Sequence, residues 1–169
     1  MRQIKVNSLL GNEIITLGDV KNYVRIDSDD DNAIITNMIT QARIWCENYI
    51  SRDIVPKNRT YYLSDTSGLF DLPFAPVATI ESVTVEGEAA TYTEYGLDDL
   101  SIELDGGPSN NVKITYTTAG LNDGLIKQAL LQMVSNLYDN RADFVTGTIV
   151  SDIPTNVKSI LSGYKTMFI

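Results

Sequence analysis

There is no histidine in this 169-residue chain, and only one cysteine, Cys46. Without imidazole, serine and cysteine nucleophiles lack their usual general base, and the common His-ligated metal sites cannot form. A single cysteine closes no intramolecular bridge, so there is no disulfide framework, and a reducing compartment is mildly favoured. Gly-rich phosphate loops of the Gly-x-Gly-x-x-Gly or Walker type are missing as well. No run of about 18 apolar residues occurs, and the opening Met1-Arg2-Gln3-Ile4-Lys5-Val6 lacks the long apolar core of a signal peptide. The expectation is a soluble, untargeted protein with no membrane segment, metal or cofactor.

Positive charge is scarce too, and unevenly so. Net charge is −9; residues 1–60 hold eight acids and eight bases, residues 61–124 eleven acids and only Lys113, and residues 125–169 three acids and four bases. Tight general binding of nucleic acid depends on Lys and Arg neutralising phosphates, so the acidic middle third is unsuited to it. A solvated, solubilising surface is the simpler reading. Asp98 with Asp99, and Glu86 with Glu88, are the residue types of a two-carboxylate hydrolase. They fall in predicted turns, and hydrolysis is the weak alternative.

What the chain does contain is clear periodicity. Over residues 125–141, Ile126, Ala129, Leu130, Met133, Val134 and Leu137 fall within an arc of about 140° at 100° per residue. Leu131 and Tyr138 widen the arc to about 200°, twice what a surface helix needs, so this helix is expected to pack on two sides. Arg141 projects on the apolar side and must snorkel or find a partner. The options are an acid of its own chain, Asp19 or one of Asp29 to Asp31, or a contact with a neighbouring copy.

Residues 1–15 show no clear period and are expected to form an arm. Thr16 followed by Asp19 resembles a capping arrangement for a short helix over 17–25. Asp27-Ser28-Asp29-Asp30-Asp31 begins like a calcium loop, but Asn32 stands where that loop needs Gly and Met38 where it needs a bidentate Glu. The acids are better read as the cap and first turn of a helix over 30–51. Its buried stripe holds Ile35, Met38, Ile39, Ala42, Trp45, Cys46, Tyr49 and Ile50, with Arg43 and Glu47 outside it. Cys46, near the middle of that stripe, reads as a small hydrophobe.

Beyond Pro56 the period becomes two. Residues 59–63, 68–72, 79–85, 90–95, 100–104 and 112–117 read as short strands separated by turn signals. Asn122 or Asp123 can cap the helix over 125–141. The loop over 143–152 carries Phe144, Val145, Ile149 and Val150, apolar residues that call for a covering surface, either their own domain or a partner. A last helix opens at Asp152 and Pro154, with Val157, Ile160, Leu161 and Tyr164 on one face and Gly163 closing it. Met167, Phe168 and Ile169 end an apolar tail.

Three stretches, taken together, resemble a known family. They are Leu17 to Ile50, with Val20-Lys21-Asn22-Tyr23-Val24-Arg25-Ile26-Asp27 leading into Ala42-Arg43-Ile44-Trp45; Leu72-Pro73-Phe74-Ala75-Pro76-Val77; and Lys127-Gln128-Ala129 through Tyr138-Asp139-Asn140-Arg141, followed by Ile153-Pro154-Thr155-Asn156-Val157. Their order and spacing resemble the head-tail connector (adaptor, or head-completion) proteins of long-tailed double-stranded DNA phages and prophages. The resemblance implies an α+β, mainly α fold: a small helical bundle with an antiparallel β module inserted between the second and third main helices. The expected organisation is one domain over 1–169, with an arm (1–15), helices (16–55), an acidic β insert (59–118), helices (122–164) and a tail (165–169).

The same resemblance implies a structural virion protein at the capsid-tail junction, present in the host cytoplasm before assembly. It would form a homo-oligomeric ring of about twelve copies on the portal protein, extend the DNA channel without reading its sequence, and present a surface to the next neck or tail protein. Leu131, Tyr138, Arg141, Phe144, Val145, Ile149, Val150, Met167, Phe168 and Ile169 are the candidate interface residues, and no catalytic residue is assigned. The alternatives are a neck or stopper protein further along the same connector and a monomeric protein-binding module.

Overall fold

The computed structural model describes residues 1–140 and 154–165. They form two compact units, one from Met1–Asn12 and Ser51–Leu121, the other from Glu13–Ile50 and Asn122–Ile169.

The first unit is all β among its described residues. Its strands are β1 (Arg2–Leu9), β2 (Lys57–Thr66), β3 (Leu69–Asp71), β4 (Val77–Val85), β5 (Glu88–Ala89), β6 (Tyr92–Gly96), β7 (Leu100–Leu104) and β8 (Ser109–Thr118). A five-stranded sheet has the order β1-β2-β8-β4-β5 and a three-stranded sheet the order β3-β7-β6, with every pairing antiparallel. Strict alternation builds the long central pair. β2 buries Lys57, Arg59, Tyr61 and Leu63, and β8 buries Val112, Ile114, Tyr116 and Thr118, with Tyr61 opposite Ile114 and Leu63 opposite Val112. Phe70, Leu72, Ile102 and Leu104 of the β3-β7 side complete one apolar core with them. Each fully buried Ile or Leu there contributes about 2 kcal/mol. The β4-β5 hairpin turns at Glu86 and Gly87, both at positive φ, as a two-residue hairpin with this twist requires.

The second unit holds the helices. α1 (Leu17–Val24) begins with a reciprocal cap: Asp19 N–H donates to Thr16 Oγ1 at 3.1 Å and Thr16 N–H donates to Asp19 Oδ2 at 2.7 Å. α2 (Asn32–Ile50) starts two residues beyond the expected Asp30, and its first turn holds no acid. The acids lie just upstream instead, where Asp29 Oδ1 accepts from Lys21 Nζ at 2.7 Å and Asn32 Nδ2 at 3.0 Å. α3 (Gly124–Asp139) is capped by Asp123, whose Oδ1 accepts from Leu125 N–H at 2.7 Å. It buries Ile126, Ala129, Leu130, Met133 and Val134 and touches α1, α2 and α4 (Thr155–Ser162), which itself buries Val157 and Leu161. No helix among the described residues is long and apolar enough to cross a membrane.

The expected mainly helical bundle is corrected by this architecture. Among the described residues helix and strand take equal shares, 34% each, and the strands lie in two antiparallel sheets. The reason is physical. The strands are not a minor insert, because they enclose their own core of ten buried residues, and residues 2–9, within the stretch expected as an arm, join them as β1. The signal that could have found β1 is the short alternation Gln3-Ile4-Lys5-Val6-Asn7.

Candidate assembly surfaces

Two charge clusters lie inside the units, and each is satisfied internally. In the β unit, Asp53 is fully buried and its carboxylate accepts from Arg59 Nε (2.7 Å) and NH2 (2.6 Å), Lys57 Nζ (2.7 Å) and Thr118 Oγ1 (2.8 Å). Burial pushes its pKa up, yet Arg59 and Lys57 outweigh that and hold the carboxyl below its ordinary value. Arg59 also stacks 3.8 Å from the Phe74 ring centroid. In the helical unit, Arg43 Nε donates to Glu13 Oε2 and Arg43 NH1 to Glu47 Oε2, each at 2.8 Å. Arg43 and Glu47, placed by periodicity on the polar side of α2, are both 3% exposed. Carboxylates so occupied hold elements together.

Cys46 is fully buried, and burial, helped by Glu47, pushes its thiol up to about 12, so it is no nucleophile. Asp98 and Asp99 stand at the β6-β7 turn, Asp99 paired with Arg52 NH2 at 2.7 Å. Among the described residues no cluster of three or more His, Cys, Asp or Glu could hold a metal ion.

The surfaces are more informative. Leu131 is half-buried and lines an open groove of the helical unit with Ile14, Ile15, Asp19, Asn22, Tyr23 and Lys127. Leu130, its neighbour, is fully buried. Tyr138 is half-buried and its hydroxyl donates to Asp31 Oδ2 at 2.6 Å. Because α1, α2 and α4 all pack on α3, the wide apolar arc is accounted for within the unit and does not by itself require a neighbouring copy. Arg141, Phe144, Val145, Ile149, Val150, Met167, Phe168 and Ile169 lie outside the described residues.

The β unit carries a surface that sequence reasoning did not single out. Every residue of β1 is exposed, and Ile4, Val6, Leu9 and Leu10 are 37% to 53% exposed. Register places Ile4 opposite Tyr61, Val6 opposite Arg59 and Leu9 opposite Lys57, so these three share the core-facing side of the sheet while lying beyond the core that covers it. The opposite side of the same strands is polar: Asn7 Nδ2 donates to Asn58 Oδ1 (2.7 Å) and Thr60 Oγ1 (2.8 Å).

Among the described residues, two antiparallel sheets in one unit and four helices in the other define an α+β protein. The chain belongs to the head completion protein family, whose model matches residues 13–167. The order of the three stretches noted above had implied this family. No curated protein sequence matches the chain. Among solved structures, it is similar to a chain from the neck of an empty gene transfer agent (GTA) particle computed with C6 symmetry, with a TM-score of 0.76 and 15% identity, over 99% of this chain and 97% of the other. A chain of the virion of a native GTA particle gives 0.76 and 16%, and one from the neck of a native GTA particle computed with C12 symmetry gives 0.75 and 16%, with the same coverages. At such identities the likeness is one of fold.

Proposed function

We propose that this chain is a non-catalytic structural protein of a phage-like virion, located at the capsid-tail junction. Its copies form a ring on the portal vertex, extend the DNA channel and join the capsid to the neck and tail. The observation that carries this reading is the family match across residues 13–167. The likeness over 99% of the chain to chains of GTA necks, two of which were computed with C6 and C12 symmetry, supports a ring. Eleven acids against one base over residues 61–124 are unsuited to gripping the phosphate backbone, which fits DNA that passes without being held.

The test is to mix the purified protein with DNA-filled, tail-less capsids of its own phage and to image the vertex. A ring of added density beneath the portal is the expected result. Bare vertices at saturating protein would overturn the reading and leave a monomeric binding module in its place.

A further inference from the structure

We infer that neighbouring copies join through the five-stranded sheet, with β1 of one copy adding as an antiparallel strand to the open edge of β4 in the next. This inference rests on the ring reading above. Four observations support it.

Among the described residues no strand pairs with the outer edge of β1, and that edge is correctly oriented. Ser64 N–H donates to Met1 O at 2.9 Å, so Met1 and Ser64 form a hydrogen-bonded pair. The alternation of an antiparallel ladder then turns the N–H and C=O groups of Arg2, Ile4 and Val6 away from β2. Such an edge is a template for another strand.

The acceptor edge is open over residues 78–82, a stretch that bulges against β8 at Ala78 and at Glu81. On the outer side of β4, β5 pairs only with Thr84 and Val85, Ala90 N–H reaches Val83 O at 3.0 Å, and Val77 N–H reaches Asp98 O at 3.0 Å. Among the described residues, no strand covers residues 78–82.

Direction and face both agree. Strands alternate across β1-β2-β8-β4, so a copy set beside the first in the same orientation brings its β1 antiparallel to β4. The core-facing side stays on one side. Ile4, Val6 and Leu9 of the incoming strand then continue the apolar face that Ile80 and Val83 occupy on β4. Apolar residues that overhang the core in one copy are thereby covered at the junction.

Charge agrees as well. Residues 1–12 carry Arg2 and Lys5 and no acid, whereas residues 51–121 carry eleven acids and four bases, two of those bases being buried on Asp53. A basic strand therefore meets an edge flanked by Glu81, Glu86 and Glu88. The contact joins two different surfaces, as a closed ring requires.

The experiment combines Ile4→Cys with a cysteine at each of Ala78, Thr79, Ile80, Glu81 and Ser82 in turn, on vertices where added ring density has first been seen. β1 and β4 of one copy are separated by two strands, about 14 Å at the usual strand spacing, so any disulfide is between copies. A covalent ladder in non-reducing gels, strongest at one register, is the expected result. In unsubstituted protein, amide exchange at Ile4 and Val6 should slow by about 100-fold on ring formation while Lys5, already bonded to β2, stays constant. Rings that form with no bridge at any of the five positions, and with Ile4 and Val6 still exchanging freely, overturn the strand pairing and leave the ring intact. Absence of ring density overturns the ring and the pairing together.

Discussion

Asp53 receives Arg59 as a two-point fork, Nε on Oδ2 at 2.7 Å and NH2 on Oδ1 at 2.6 Å, with both side chains at most 5% exposed. The pair ties the segment after α2 to the central strand β2, and Thr118 extends the tie to β8. Asp53→Asn removes the carboxylate charge that the buried Arg59 and Lys57 face in this cluster. Loss of one partner from such a buried pair costs about 3–5 kcal/mol, whereas Thr118→Val, which removes a donor to the carboxylate and the acceptor of the Lys57 N–H, costs about 2 kcal/mol. Urea unfolding followed by circular dichroism separates the two. Equal, small losses would mean that the cluster is not what fixes this corner.

The same carboxylate sets the acid limit of the β unit. Its folded-state pKa is held down by Arg59 and Lys57 against the penalty of burial, while the unfolded value is about 3.9. A depressed folded value gives stability that is fully present above the unfolded pKa and lost as pH falls through the folded one. With no histidine in the chain, no side chain of ordinary pKa titrates between about pH 5 and 8. The unfolding midpoint of the β unit should therefore hold from pH 7 to 5 and fall below about pH 4. A midpoint that already declines at pH 6 would contradict this.

Gly120 closes the β unit at a position no side chain can share. Its φ is +76°, and an added Cβ would lie 2.6 Å from Ile54 O and 2.8 Å from Pro56 Cδ. Gly120→Ala must therefore move backbone and ring atoms, at about 2 kcal/mol or more. Gly87, at φ +95° with nothing within 4 Å, supplies the control, since Gly87→Ala meets only the conformational penalty of about 1 kcal/mol. Thermal unfolding of the two variants checks the order.

The difference between what was legible in the chain and what was not follows from the range of the forces involved. Local signals were legible: the Thr16-Asp19 cap, the Asp123 cap and the stripe through Ile126, Leu130 and Val134 all need only neighbours within a turn or two. The buried pair Arg43 and Glu47 was not, because periodicity assigns them to the polar face and their burial depends on Glu13, thirty residues upstream of Arg43. Nor was the Asp53 cluster, since nothing within those seven residues shows that Thr118 and β8 close over the three charges. β1 failed for a different reason. Its alternation spans only five residues, and its strand character comes from the ladder it forms with β2, some 55 residues away in the chain. Of the candidate interface residues, Leu131 was legible as a flank of α3, whereas the Ile4-Val6-Leu9 edge became visible only from its register.

That flank supports the last prediction, in which adjacent residues of α3 separate folding from assembly. Leu130 is fully buried, so Leu130→Asp places a carboxylate among apolar side chains without a partner, and the helical unit should unfold, a loss of about 4 kcal/mol or more. Leu131 is half-buried in the open groove, and Lys127, one turn earlier, lines the same groove. Leu131→Asp can therefore point its carboxylate to water or toward Lys127, and the folding loss should be about 1 kcal/mol. If the groove receives a neighbouring chain, this folded variant should still decorate portal vertices more weakly than the unsubstituted protein, read as ring occupancy at a fixed protein concentration. Full occupancy with Leu131→Asp would exclude the groove from assembly, and equal unfolding by both substitutions would show that Leu131 belongs to the core instead.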